Sequence, residues 1–239
     1  MAPSASVGRV AWLLLALAGV GACGGKAIHL GNSRDGGACT PGQVAANEVL
    51  FIGDTWVLIP GAGQHARVAD LALRAGAIGA GESYVLGAMA ANTMAMIADQ
   101  YAAREAGATK VKAVIMDGGT WETIVAMNSG ASVSDAVNAA AAAFGDFLAQ
   151  VANDGTVQDV VYFLVPEAAG IPGVAALRPL LKQACDTSAV RCHFLDLQSV
   201  WAGHADYSVP GAIPIPTEAG AVAIAAAIWS LMQQACVAQ

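Results

Sequence analysis

Five short apolar runs, VLFIG, SYVLG, VKAVIM, DVVYFLV and HFLDL, alternate along the chain with longer segments of helical periodicity such as HARVADLALRAG and VSDAVNAAAAAFGDFLAQVAND. Runs this short and largely apolar, separated by longer segments, read as strands. Parallel strands also need a long crossover between them, and the intervening helical segments supply it. The pattern predicts an α/β fold, a five-stranded parallel sheet with helices on both faces. In the third helical segment Val133, Val137, Phe144, Phe147, Leu148 and Val151 recur on one face, and the alanine run between them lets the helix approach the sheet closely. Met89, Met94 and Met96, on or near the preceding helix, are expected in the core as well. A last helix is expected from about Thr217 through AVAIAAAIWSLMQQ. In such a sheet the loops at the carboxyl ends of the strands gather on one edge, so the residues just after each strand are the functional candidates.

The 239 residues suffice for one such domain, expected over residues 48–239. Ahead of it, residues 1–22 read as a lipoprotein-type signal peptide: Arg9 supplies positive charge, AWLLLALAGV a short apolar segment, and small residues follow. That segment is too short for a stable span of a bilayer. The junction VGAC resembles a bacterial lipobox, with Val20 where leucine is commoner. The resemblance implies lipidation of Cys23, a membrane as partner through that anchor, and export from a bacterial cell. Residues 23–47, with GGKAIHLGNSRDGGACTPGQ, read as a tether.

An exported chain meets an oxidising compartment, which favours disulfides over thiolate metal sites. Beyond Cys23 four cysteines remain, and they allow three pairings. CDTSAVRC sets Cys185 and Cys192 at the two ends of a short turn, which leaves Cys39 with Cys236 to tie the start of the domain to its last helix. Net charge is −7 and the basic residues are scattered without a run, which argues against nucleic acid as a partner. No zinc spacing or P-loop occurs, and GAGQHA, a loose dinucleotide-type match, has no strand of suitable length leading into it. No metal or cofactor is expected.

Four stretches carry a family resemblance, which spans the chain from about Val49 to Cys236. VLFIGDTWVLIPG contains Gly53-Asp54-Thr55, SYVLGAMA contains Gly87, MDGGTWE contains Gly119-Thr120-Trp121-Glu122, and GAIPIPTEAG runs from Gly211 to Gly220. In this order they resemble the blocks of the SGNH or GDSL-type ester hydrolases, a three-layer flavodoxin-like α/β family. The resemblance implies a nucleophile position at Thr55, an oxyanion-hole amide at Gly87, and an oxyanion-hole side chain at Trp121, where the family has asparagine. Glu122 stands where the family has aspartate. It also places Ala212 and Ile215 where the family has its catalytic aspartate and histidine.

These departures fall on the chemistry. A hydroxyl is a poor nucleophile until a base within hydrogen-bond reach takes its proton, and isoleucine at 215 cannot. Alanine at 212 cannot orient such a base. One lost oxyanion donor typically costs about a hundredfold or more in rate, and the loss of the base compounds it. The best replacement base is His204 in AGHADY, with Asp206 two positions on; His65, on the first helix, is a poorer one. Asp54 reads as a turn and cap residue. Trp56, Trp121 and Trp201 lie at or beyond strand ends and, with Asp54 and Glu122, form the candidate binding set for an ester, lipid or glycan. The alternative for the tryptophans is that their rings fill the vacated cleft. Three functions follow: a catalytically degenerate ester, lipid or glycan binder; an active carboxylester hydrolase using Thr55, Gly87 and His204; and a structural envelope lipoprotein.

Overall fold

The structure is a computed structural model that describes residues 39, 43–209, 211 and 215–238. The expected signal segment, Cys23 and Ala212 lie outside the described residues.

The five apolar runs form strands β1 (Val49–Ile52), β2 (Val85–Leu86), β3 (Ala113–Met116), β4 (Asp159–Leu164) and β5 (Arg191–Asp196). They pair in parallel in the order β2-β1-β3-β4-β5, the flavodoxin-like order. Every residue of β1, β3 and β4 is buried, as their lack of a polar face requires. The helices are α1 (Thr55–Leu58), α2 (Gly63–Arg74), α3 (Met94–Glu105), α4 (Thr120–Ser129), α5 (Val133–Asp154), α6 (Val174–Asp186), α7 (Gln198–Trp201) and α8 (Glu218–Ala235). α2 packs with α8 on one side of the sheet, while α3, α5 and α6 pack in succession on the other. A small antiparallel hairpin joins β6 (Ser208–Val209) to β7 (Ile215–Pro216).

The third helical segment behaves as expected: Val137, Phe144, Phe147, Leu148 and Val151 are buried on the inner face of α5. α8 starts where its cap lies, since the Thr217 hydroxyl accepts from the Gly220 N–H at 3.2 Å. Between β3 and α5 stands a further helix, α4, behind Gly119, which is held at a φ of +85°. One expectation is corrected. Of the three methionines, Met94 is fully buried, but Met89 and Met96 are 61% and 49% exposed. Met94 is the first residue of α3, and Met96, two positions on, falls on the other side of the helix.

Both expected disulfides are present, Cys39–Cys236 and Cys185–Cys192. The last residues assigned to the tether already belong to the fold. Ala46 is buried, and the Arg104 guanidinium donates to the Asn47 carbonyl at 2.9 Å. Because Cys39–Cys236 closes a loop of 197 residues, its removal frees much of the unfolded chain. Cys39→Ala with Cys236→Ala is expected to cost ~2–4 kcal/mol in denaturant unfolding, with the native far-ultraviolet spectrum retained.

Candidate functional site

The order of the sheet reverses between β1 and β3, and the carboxyl ends of those two strands hold the candidate site, as the switch-point rule requires. β1 ends at Gly53, whose φ of +132° is a glycine conformation. Gly53 is clamped by one side chain from α3: its N–H donates to Gln100 Oε1 at 2.8 Å and its carbonyl accepts from Gln100 Nε2 at 3.0 Å. The chain then enters α1, with Thr55 as its first residue.

The carboxylate that receives the first turn of α1 comes from the residue just after β3, not from α1 itself. Asp117 Oδ1 accepts from the Asp54 N–H at 2.6 Å and Oδ2 from the Trp56 N–H at 3.1 Å. Asp54, the residue at the cap position, makes no side-chain cap bond. Its Oδ1 accepts from the Thr55 hydroxyl at 2.9 Å and from the Asn92 N–H at 3.2 Å. The Asn92 amide nitrogen in turn donates to the Met89 carbonyl at 2.6 Å. The turn is therefore held by Asp117, Asn92 and Gln100, and sequence reasoning singled out none of the three. Asp117 directly follows a strand, so the strand-end rule could have found it; the family block, beginning at Gly119, drew attention past it.

Asp54 and Asp117 are both 3% exposed. Burial raises the proton affinity of both carboxyls, and the charge on Asp54 adds to the effect at Asp117, which is pushed up to about 8. Burial also raises Glu122, whose Oε1 accepts from the Met94 N–H at 2.6 Å and so ties α4 to the first residue of α3.

The other expected site residues are placed as follows. Thr55 is half-buried, and the partner of its hydroxyl is Asp54, not an imidazole. Gly87 is corrected as an oxyanion donor: its N–H donates to the Phe51 carbonyl at 2.8 Å, continuing the β1–β2 pairing, and is already engaged. His204 is corrected as a base. It is exposed and stacks on Tyr207 at 4.2 Å, and Tyr207 packs on Trp201 at 5.3 Å, which packs on Trp56 at 5.5 Å. Two rings thus stand between His204 and Trp56, the neighbour of Thr55. His204 instead lines a separate hollow of about 350 Å³ with Ala168, Trp201 and Ser208.

Trp56 and Trp201, at 2% and 4% exposure, are corrected as binding residues, because they fill the interior against each other. Asp54 is likewise a buried turn residue and offers no surface to a ligand. Trp121 and Glu122 remain half-buried on the first turn of α4. Ile215 lies in β7, which pairs with β6 and packs against α1, so an aliphatic side chain stands beside the helix that begins with Thr55. Among the described residues no group of histidine, cysteine or acidic side chains could hold a metal ion.

No family model and no curated protein sequence matches the chain. Among solved structures it is similar to an acetylxylan esterase from Geobacillus stearothermophilus, at 15% identity over 79% of this chain and 95% of that one, with a TM-score of 0.60. A family 3 carbohydrate esterase from Clostridium thermocellum is similar at 15% identity over 77% and 94% of the two chains, TM-score 0.58. An α/β hydrolase from the metagenome of Lake Arreo, Spain, is similar at 15% identity over 79% and 95%, TM-score 0.58. The five-stranded parallel sheet with its surrounding helices is thus the fold of these enzymes.

Proposed function

We propose that the chain is an exported protein, lipid-anchored at Cys23, that keeps the ester-hydrolase fold, has lost hydrolysis, and binds an ester of a lipid or glycan at the old nucleophile edge. One observation carries this reading: the Thr55 hydroxyl donates its hydrogen bond to the buried Asp54, and the sequence position where the family resemblance calls for the base holds Ile215. Asp54 Oδ1 also accepts from the Asn92 N–H, which leaves it less free to take that proton. The engaged N–H of Gly87 and the bulk of Trp121 on the first turn of α4 remove the stabilisation an oxyanion needs. The structural neighbours include enzymes for acetylated xylan, which supports an acylated sugar or a related ester as the ligand class. Trp121 and Glu122, half-buried at the site edge, are the residues left to meet it.

Hydrolysis of p-nitrophenyl acetate and butyrate by the purified protein tests the loss of catalysis. The parent is expected to turn over no faster than Thr55→Ala. Parent activity that Thr55→Ala removes means that hydrolysis survives with an unforeseen base. The combined change Thr55→Ser, Ala212→Asp and Ile215→His is expected to gain about tenfold or more over the parent, because it restores the nucleophile, the base and its orienting group.

A further inference from the structure

A groove of about 490 Å³ lies between the edge strand β2 and α3, with Leu50 and Val85 on its strand side and Met96 and Ala103 on its helix side. It begins at Gly87, Met89 and Asn92, beside the Gly53–Asp54 turn: the Met89 N–H donates to the Gly53 carbonyl at 3.2 Å. It ends near Arg104, whose guanidinium donates to the Asn47 carbonyl at the start of β1. From Met96 to Ala103 the helix rises about 10 Å, which sets the length of the trough.

The chemistry of the lining selects the occupant. The polar side chains nearest the site are already engaged: both atoms of the Gln100 amide bond Gly53, and the Asn92 nitrogen bonds the Met89 carbonyl. Apart from the Asp99 carboxylate, exposed between Met96 and Ala103, and Arg104 at the far end, what the groove presents to solvent is aliphatic and thioether surface, with Leu86 40%, Met89 61% and Met96 49% exposed. A sugar or a peptide would leave its hydrogen-bonding groups unsatisfied there, whereas an alkyl chain has none to satisfy. Two unbranched, polarisable methionines can adapt to a flexible chain. We propose that this groove takes the apolar chain of an acyl ester of medium length, whose ester group lies at the Thr55 edge. The inference rests on the ester-binding reading above and adds the acyl half of the ligand to it.

Methyl octanoate and methyl acetate, titrated into the purified protein and followed by NMR chemical shifts, test it. The octanoyl ester is expected to bind about tenfold tighter or more, since each added methylene finds apolar cover. Met96→Glu and Met89→Glu, both at exposed positions and each checked for native circular dichroism, are expected to bring octanoyl affinity down to about that of the acetyl ester. Equal affinity for the two esters overturns the groove and leaves the ester site standing. An octanoyl preference untouched by both substitutions also overturns it, because the chain then lies elsewhere. If neither ester binds, both readings fall. A concentration-dependent dimer in sedimentation that Met96→Glu dissociates overturns it in favour of a second copy as the occupant.

Discussion

Alanine at position 53 is expected to cost more than ~4 kcal/mol, enough to leave little folded protein. Two penalties coincide there. The φ of +132° is a conformation that side-chain-bearing residues rarely adopt, and the added Cβ would collide with Asp117 Oδ1 and lie 3.0 Å from the Asp117 backbone nitrogen and oxygen. Nothing in the neighbourhood can yield, because Gly53 is clamped by Gln100 and Asp117 is the acceptor for the next turn. The control is Gly76, held at φ +74° with open space around it, where alanine meets only the backbone penalty of ~1 kcal/mol. Soluble yield and denaturant unfolding of Gly53→Ala and Gly76→Ala, compared side by side, decide the matter. Similar losses in the two variants would show that the contact with Asp117 contributes nothing.

Asp117→Ala is expected to be the next most damaging change, and its cost depends on pH. The substitution orphans two buried backbone N–H groups, those of Asp54 and Trp56, at ~1–3 kcal/mol each. Against that, the native fold holds the Asp117 carboxyl at about 8, while an unfolded aspartate titrates near ~4. Between those values the folded protein binds more protons than the unfolded chain, so parent stability is highest at the acidic end and declines as pH rises toward 8. The variant lacks that titration. The gap between parent and variant is therefore expected to be widest near pH ~5 and to narrow by a few kcal/mol by pH ~9. Urea unfolding of both proteins across this range checks it; a gap that stays constant or widens with pH would mean that Asp117 is ionised throughout.

The strands were legible because total burial leaves a local mark: a sheet covered on both faces must be built from runs without polar alternation, and VKAVIM and DVVYFLV are such runs. The disulfides were legible because only one pairing joins the short CDTSAVRC turn and the two ends of the domain together. Asp117 was not, since the amides it receives lie 61 and 63 residues away in the chain and nothing local marks it as their partner. Which of the two alternatives holds for Trp56 and Trp201, binding or filling, was not legible for a different reason. Standing at the end of a strand places a residue at the site edge but does not fix which way its side chain turns, and Trp56 and Trp201 turn toward each other. The same limit applied in reverse to Met89 and Met96, whose composition reads as core and whose side chains face water. Gly87 ends a strand so short that the residue after it still belongs to the ladder, and its N–H goes to Phe51.

The covalent link between Cys39 and Cys236 makes almost the whole fold one closed ring. A protease that cuts any loop between those residues opens the ring without releasing a fragment: both pieces stay joined, and the cut ends remain within reach of their partners. A second cut is needed before anything is lost, and even two cuts release nothing when just one of them falls between Cys185 and Cys192, because the second disulfide then still joins the pieces.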